Sequence, residues 1–136
     1  MGISVVVIED EPDHSRLLVT LLHGLGLTVH TAANGPDGVD AIRRLNPALI
    51  TTDLTLPGFG GAEVIRQARA FTSAPIMIVS ASCDILAVEA GLGAGADAYL
   101  PKPFRPRVLR AYVRALRVPL QRRGGEPAPE EVCASM

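Results

Sequence analysis

The chain has 136 residues, of which 48% are hydrophobic, and a formal net charge of -1 at pH 7. This length holds one domain that buries roughly two-thirds of its unfolded surface, and the composition excludes both a disordered chain and a globally basic one. No apolar run reaches the ~18 residues that a membrane span needs, and Met1-Gly2-Ile3 passes straight into a strand without a basic leader region, so the expected location is cytoplasmic. Cys83 and Cys133 show no CxxC spacing and are expected as reduced thiols.

In chain order, two periodicities alternate. The apolar run at residues 3–8 predicts a buried strand, β1. Pro12 suits a first helical position, and Leu17, Leu18, Leu21, Leu22 and Leu25 mark one face of a helix, α1, that stops near Gly24 or Gly26. Residues 28–32 make a short strand, β2, Asn34-Gly35 a turn, and residues 36–45 a helix, α2, with Val39, Ile42 and Leu45 inward. Asn46-Pro47 closes it. Strand β3 ends at Asp53, residues 62–70 form α3, and residues 75–80 form a fourth buried strand, β4. Helix α4, about residues 84–92, contains Gly91 and is followed by Gly93 and Gly95. A glycine inside a helix costs ~1 kcal/mol relative to alanine, so α4 is expected to be the least stable helix. Strand β5 covers residues 97–100 and α5 residues 106–118.

Five βα units without a long loop predict an α/β fold, a flavodoxin-like doubly wound (βα)5 sandwich with a five-stranded parallel sheet in the order 2-1-3-4-5. Residues 1–120 form this domain. The stretch 121–136, with Gly124-Gly125 and Pro127-Ala128-Pro129, lacks an apolar period and reads as a tail or linker.

The strand ends carry the chemistry. In an open parallel sheet the ligand crevice lies beyond the carboxyl ends of the strands. β1 ends at Glu9-Asp10, β3 at Asp53, β4 at Ser80-Ala81, and Lys102-Pro103 follows β5. At ~5 Å and an effective dielectric of ~20, each pair of charged carboxylates would repel by roughly 3 kcal/mol, so a cation is expected among them. Thr55, two residues beyond Asp53, has left the sheet and can turn its carbonyl back toward the crevice, while Pro57, Gly58, Gly60 and Gly61 allow a sharp exit into α3. A few carboxylates, a carbonyl and water suit Mg2+, and no Cys or His spacing suits zinc. His14, His23 and His30 share no ligand spacing and are assigned to surface or helix positions. Singly, Ser80, Tyr99 and Lys102 are ordinary surface or strand-end residues; their joint placement is what points to a phosphoryl group.

These residues resemble a family. Glu9-Asp10, Asp53 with Pro57 and Gly61, Ser80-Ala81, Gly95-Ala96-Asp97-Ala98-Tyr99 and Lys102-Pro103-Phe104 look like the receiver domain of two-component response regulators, in order and over about residues 3–118. The resemblance implies that Asp53 is the phosphoacceptor, taking its phosphoryl group from the phosphohistidine of a sensor histidine kinase or a histidine phosphotransfer protein. It implies that Asp10 and Asp53, the Thr55 carbonyl, and Glu9 through water hold Mg2+. Ser80 would bond a phosphoryl oxygen, Lys102 would pair with it, and Tyr99 would swing inward as the readout. The Lys102–Pro103 bond is expected to be cis. The implied function is a phosphorylation-dependent signalling switch with only self-phosphotransfer and slow autophosphatase activity, not a metabolic enzyme.

Two departures and two alternatives accompany that reading. The family often places an acid where this chain has Gly60, which implies a looser start to α3, and the uncharged Thr55 and Ser82 leave the phosphate lifetime open. A pseudo-receiver acting only as an interaction module would not need the acid triad, hydroxyl and lysine. A flavin-binding protein of the same architecture would need a Ser/Thr/Gly-rich phosphate loop after β1, and Glu9-Asp10-Glu11-Pro12 is the electrostatic opposite. The expectation is a stand-alone regulator or the receiver piece of a longer protein, without direct nucleic acid binding by this domain.

Arg107, Arg110, Arg114 and Arg117 recur on one stripe of α5 while Leu109, Val113 and Leu116 line another. With no acid between Lys102 and Arg123, the arginines cannot be neutralised by i,i+4 pairs within their own helix and look to solvent or to another surface. Asp84, Glu89 and Asp97 belong to the neighbouring elements. Related receivers pair through this face, so a salt-sensitive homodimer through α4-β5-α5 is expected.

Overall fold

The computed structural model describes residues 2–120; the predicted tail and Cys133 lie outside the described residues. Five strands, β1 (Ile3–Ile8), β2 (Leu27–Ala32), β3 (Leu49–Thr52), β4 (Ile76–Ser80) and β5 (Ala98–Pro101), alternate with five helices, α1 (Pro12–Gly24), α2 (Gly35–Leu45), α3 (Gly61–Arg69), α4 (Ile85–Ala94) and α5 (Pro106–Ala115). The strands pair in parallel in the order β2-β1-β3-β4-β5. This is the predicted doubly wound sandwich.

Period-two alternation splits each apolar strand between two cores. Val5, Val7, Leu49, Met77 and Val79 face α1 and α5, where they meet Leu18, Leu22, Leu109 and Val113. Val6, Ile8, Ile50, Ile76 and Ile78 face the other layer and pack on Val39, Ile42, Val64 and Ile65. The apolar stripe of α1 is narrower than its leucine spacing suggests. Leu18 and Leu22 are buried, whereas Leu17 stands 43% exposed.

Local chemistry explains the helix ends. Asn34, expected in a turn, caps α2: its side chain accepts from the Asp37 N–H at 2.8 Å, and the helix starts at Gly35. Asp84 caps α4 by accepting from the Leu86 N–H at 3.0 Å. α4 runs two residues past its predicted end, to Ala94, where Gly95 turns away at φ 124. α5 stops three residues short of its predicted end. Arg117 has φ 61 and has left the helix, so the arginine stripe ends at Arg114. Strand β5 likewise begins at Ala98, and Asp97 precedes it as a hydrogen-bonding residue.

The tight turn after β3 is made by glycines in close approach. A Cβ on Gly61 would stand 2.1 Å from the Asp53 carbonyl oxygen, and one on Gly60 2.7 Å from the Leu54 carbonyl oxygen. The Gly61 N–H donates to Leu54 at 2.9 Å. The start of α3 is therefore packed against the β3 exit.

Candidate phosphoacceptor site

The carboxyl ends of β1, β3 and β4 and the loop after β5 bring the predicted residues together. Asp53 is the first residue past β3, anchored where its N–H donates to the Ile8 carbonyl at 3.1 Å. One carboxylate oxygen, Oδ1, accepts from the Ser80 hydroxyl at 2.7 Å and from the Thr55 N–H at 3.2 Å. The other, Oδ2, accepts from the Lys102 ammonium at 3.1 Å. Ser80 itself accepts from the Ser82 N–H at 3.2 Å, which fixes its hydroxyl toward Asp53. Burial pushes the Asp53 carboxyl up, and this is the largest single influence; Ser80, the Thr55 N–H and Lys102 together outweigh it and hold the group below the ordinary carboxylate range.

Lys102 is shared. Its Nζ stands 2.5 Å from Glu9 Oε1, closer than to Asp53, and the side chains of Lys102 and Glu9 are 7% and 1% exposed. The other Glu9 oxygen accepts from the Glu11 N–H at 3.1 Å. Lys102, which pairs with Asp53, thus also neutralises a buried acid at the end of β1. The Lys102–Pro103 bond is cis.

Glu9, Asp10 and Asp53 each offer a carboxylate oxygen within 4.8 Å of the others. Asp10 is exposed and Asp53 partly so, which leaves the cluster open to solvent. Three hard oxygen donors of like charge fit a small hard dication.

Tyr99 is already turned toward the site, its hydroxyl donating to the Ser82 carbonyl at 3.1 Å. Cys83 lies in the same β4–α4 loop as an exposed free thiol. The residue missed by motif reading is His14, whose Nδ1 stands 3.1 Å from Lys102 Nζ. Its signal was its place on the first turn of α1, four residues after Asp10. Asp84 and Asp97, assigned to a partner face, are engaged within the chain: Asp84 caps α4, and Asp97 Oδ2 accepts from Arg69 at 2.8 Å and from the Ile76 N–H at 2.8 Å.

The family described as "Response regulator receiver domain" matches residues 5–114. DNA-binding response regulator MtrA of Mycolicibacterium smegmatis is 39% identical over 124 residues, 91% of this chain and 53% of the relative. Transcriptional regulatory protein AfsQ1 of Streptomyces coelicolor is 41% identical over 113 residues, 83% of this chain and 50% of the relative. The chain thus spans about half the length of these curated relatives. Among solved structures, the receiver domain of the Pseudomonas aeruginosa sensor histidine kinase PA1611, with a magnesium ion coordinated in its active site cleft, superimposes with a TM-score of 0.76 at 29% identity, over 86% of this chain and 96% of that one. With the fold, the strand-end acids, Ser80 and Lys102 all in place, the chain belongs to the response regulator receiver domain family.

Proposed function

We propose that this receiver accepts a phosphoryl group on Asp53 from the phosphohistidine of a sensor histidine kinase or a histidine phosphotransfer protein, in a Mg2+-dependent reaction. The observation that carries the reading is the convergence of Ser80, the Thr55 N–H and Lys102 on one solvent-reachable carboxylate. An Asp53 oxygen forms the bond to phosphorus as the donor's phosphorus–nitrogen bond breaks, and the departing imidazole nitrogen keeps that electron pair and takes a proton from water. Asp10 and Asp53, with the Thr55 carbonyl and with Glu9 through water, would hold Mg2+; the metal supplies charge neutralisation and alignment of the phosphoryl oxygens. Such a cation is coordinated in the P. aeruginosa relative.

The chain's own residues do the rest. Ser80 turns its hydroxyl from Asp53 to a phosphoryl oxygen, Lys102 follows the new negative charge, and Tyr99 stays packed on the loop that moves with Ser80. Slow autophosphatase turnover belongs to this reading, while the uncharged Thr55 and Ser82 leave the phosphate lifetime open. The switch acts in the cytoplasm; no helix among the described residues is long and apolar enough to cross a membrane. Direct nucleic acid binding is not proposed for residues 2–120. Pairing of two copies through α4-β5-α5 is retained on a different physical basis. Asp84 and Asp97 are engaged internally and Arg117 has left α5, so exposed Ile85, Leu86 and Leu92 would supply most of the contact, with exposed Glu89 still placed to meet Arg110 or Arg114 of a second copy through a salt-sensitive pair.

Acetyl phosphate with Mg2+ should add one phosphoryl group by intact mass, and EDTA or Asp53→Asn should abolish it. Full single labelling of the Asn variant would place the acceptor elsewhere.

A further inference from the structure

His14 is outside every motif that identifies the site, yet it touches Lys102 within it. Lys102 Nζ has three partners among the described residues: Glu9 Oε1 at 2.5 Å, Asp53 Oδ2 at 3.1 Å and His14 Nδ1 at 3.1 Å. An ammonium has three protons and no lone pair, so these partners match its whole donating capacity. Nδ1 must therefore present its lone pair, which places the imidazole proton on Nε2. The side of Lys102 that His14 covers offers no other side-chain acceptor, and only water could take its place. There a cavity of about 190 Å3 is lined by Leu17, Leu18, Pro103 and Phe104 besides His14 and Lys102, and none of those four side chains accepts a hydrogen bond.

We infer that His14 is a positioning residue for phosphoryl transfer: by accepting one Lys102 proton from outside the acid cluster, it leaves a single ammonium proton aimed at Asp53 and free to follow the incoming phosphoryl oxygen. The inference rests on the proposed role of Asp53. Of the two fixed partners, Glu9 also faces the proposed cation and can be drawn toward it, whereas His14 lies apart from the carboxylates and keeps its hold. Without that acceptor the ammonium can tilt toward Glu9, its nearer and buried partner, and the proton for the phosphoryl group is lost from its line.

The test compares wild type, His14→Leu and His14→Gln, since Gln restores an acceptor and Leu only volume. Residue 14 is exposed, so both variants should fold. With saturating Mg2+, the maximal rate of phosphorylation by acetyl phosphate should fall roughly three- to tenfold in His14→Leu, the scale of one charge-assisted hydrogen bond partly screened by water, with half-saturation unchanged. His14→Gln should stay within about twofold of wild type on the same scale. The Lys102 ammonium should give a solvent-protected 1H–15N signal in wild type and the Gln variant and a broadened one in the Leu variant. Equal rates in all three proteins, equal slowing of both variants, or an ammonium signal indifferent to residue 14 would each overturn the role. A wild-type chain that takes no phosphoryl group, while its ammonium signal still depends on residue 14, would sink the phosphoacceptor reading and this role with it; rates indifferent to residue 14 sink this role alone.

Discussion

Lys102 lies closer to Glu9, at 2.5 Å, than to Asp53, at 3.1 Å, and the Lys102–Glu9 pair is almost wholly buried. A buried pair contributes little over an apolar replacement, but removing one partner strands the other's charge at a cost of about 3–5 kcal/mol. Lys102→Met should therefore destabilise the fold by about 3 kcal/mol, and adding Glu9→Gln should recover most of it. Urea unfolding with an unchanged m-value measures both. A Lys102→Met variant as stable as wild type would show that water, not the lysine, compensates Glu9. The comparison also guards the functional tests, because a lysine variant that fails to signal is otherwise indistinguishable from one that is partly unfolded.

The same crowding of acids predicts a metal response. A ligand present at a hundredfold its Kd stabilises the state that binds it by about 2.7 kcal/mol. Mg2+ should raise the melting temperature of wild type, and Asp53→Asn and Asp10→Asn should each lose most of that increase. An undiminished increase in both variants would place the cation outside the Glu9, Asp10 and Asp53 cluster.

The acid limb of stability follows from two depressed carboxyls. Asp53 is held below its ordinary value of 3.8 by Ser80, the Thr55 N–H and Lys102 against the opposing effect of burial. Glu63 is held at about 2 by Arg66 and Gln67. For such groups the unfolded chain binds protons first, so their stabilisation is complete above the unfolded values near pH 4 and is lost as pH falls through the folded ones. Ser80→Ala should raise the Asp53 value and shift this loss toward higher pH. NMR titration of the Asp53 carboxyl carbon measures it, and an unshifted midpoint would remove Ser80 as a cause.

Strand ends were legible because an apolar run that stops on a carboxylate or a hydroxyl needs no tertiary information, and β1, β3 and β4 all end within one residue of their predicted limits. The order of the sheet followed from the βα alternation. Helix ends were less legible. Arginine spacing continues the pattern of α5 through Arg117, but Pro119 disfavours helical geometry at Val118, and the backbone has already turned at Arg117. Contacts distant in sequence were legible only where strand ends and the family resemblance carried them, as for Asp53 with Ser80 and Lys102. Lys102 and His14 are 88 residues apart and Arg69 and Asp97 28 apart, and no local periodicity encodes either pair.

The glycines of α4 divide into two kinds that composition alone treats alike. A Cβ on Gly91 would stand 2.6 Å from Ile78 Cδ1 and 3.2 Å from Leu54 Cδ2, so this glycine lets the helix approach the sheet. Gly93 has nothing within 4 Å of the same position. Gly93→Ala should stabilise the protein by roughly 0.5–1 kcal/mol, whereas Gly91→Ala should destabilise it by about 1–3 kcal/mol through overpacking. Hydrogen exchange across α4 would register both, and equal effects from the two substitutions would contradict the packing assigned to Gly91.

Arg69 and Asp97 join three elements at the opposite end of the sheet from the acids. Arg69 donates to the carbonyls of Thr72, Ala74 and Gly95 and to Asp97 Oδ2, and that oxygen also accepts from the Ile76 N–H. Ile76 is fully buried, so its N–H has no access to water if the acid is removed. Asp97→Ala should cost about 2 kcal/mol for that orphaned donor and the lost charge-assisted bond, and Asp97→Asn, which keeps an acceptor, should cost about half as much. Because the pair is tied into backbone groups and is not a free surface contact, the loss should persist in 1 M salt. Chemical denaturation at low and high salt checks both points. A cost that vanishes in salt would mean that Asp97 behaves as an exposed charge, which would return it to the set of acids able to meet the arginines of a second copy.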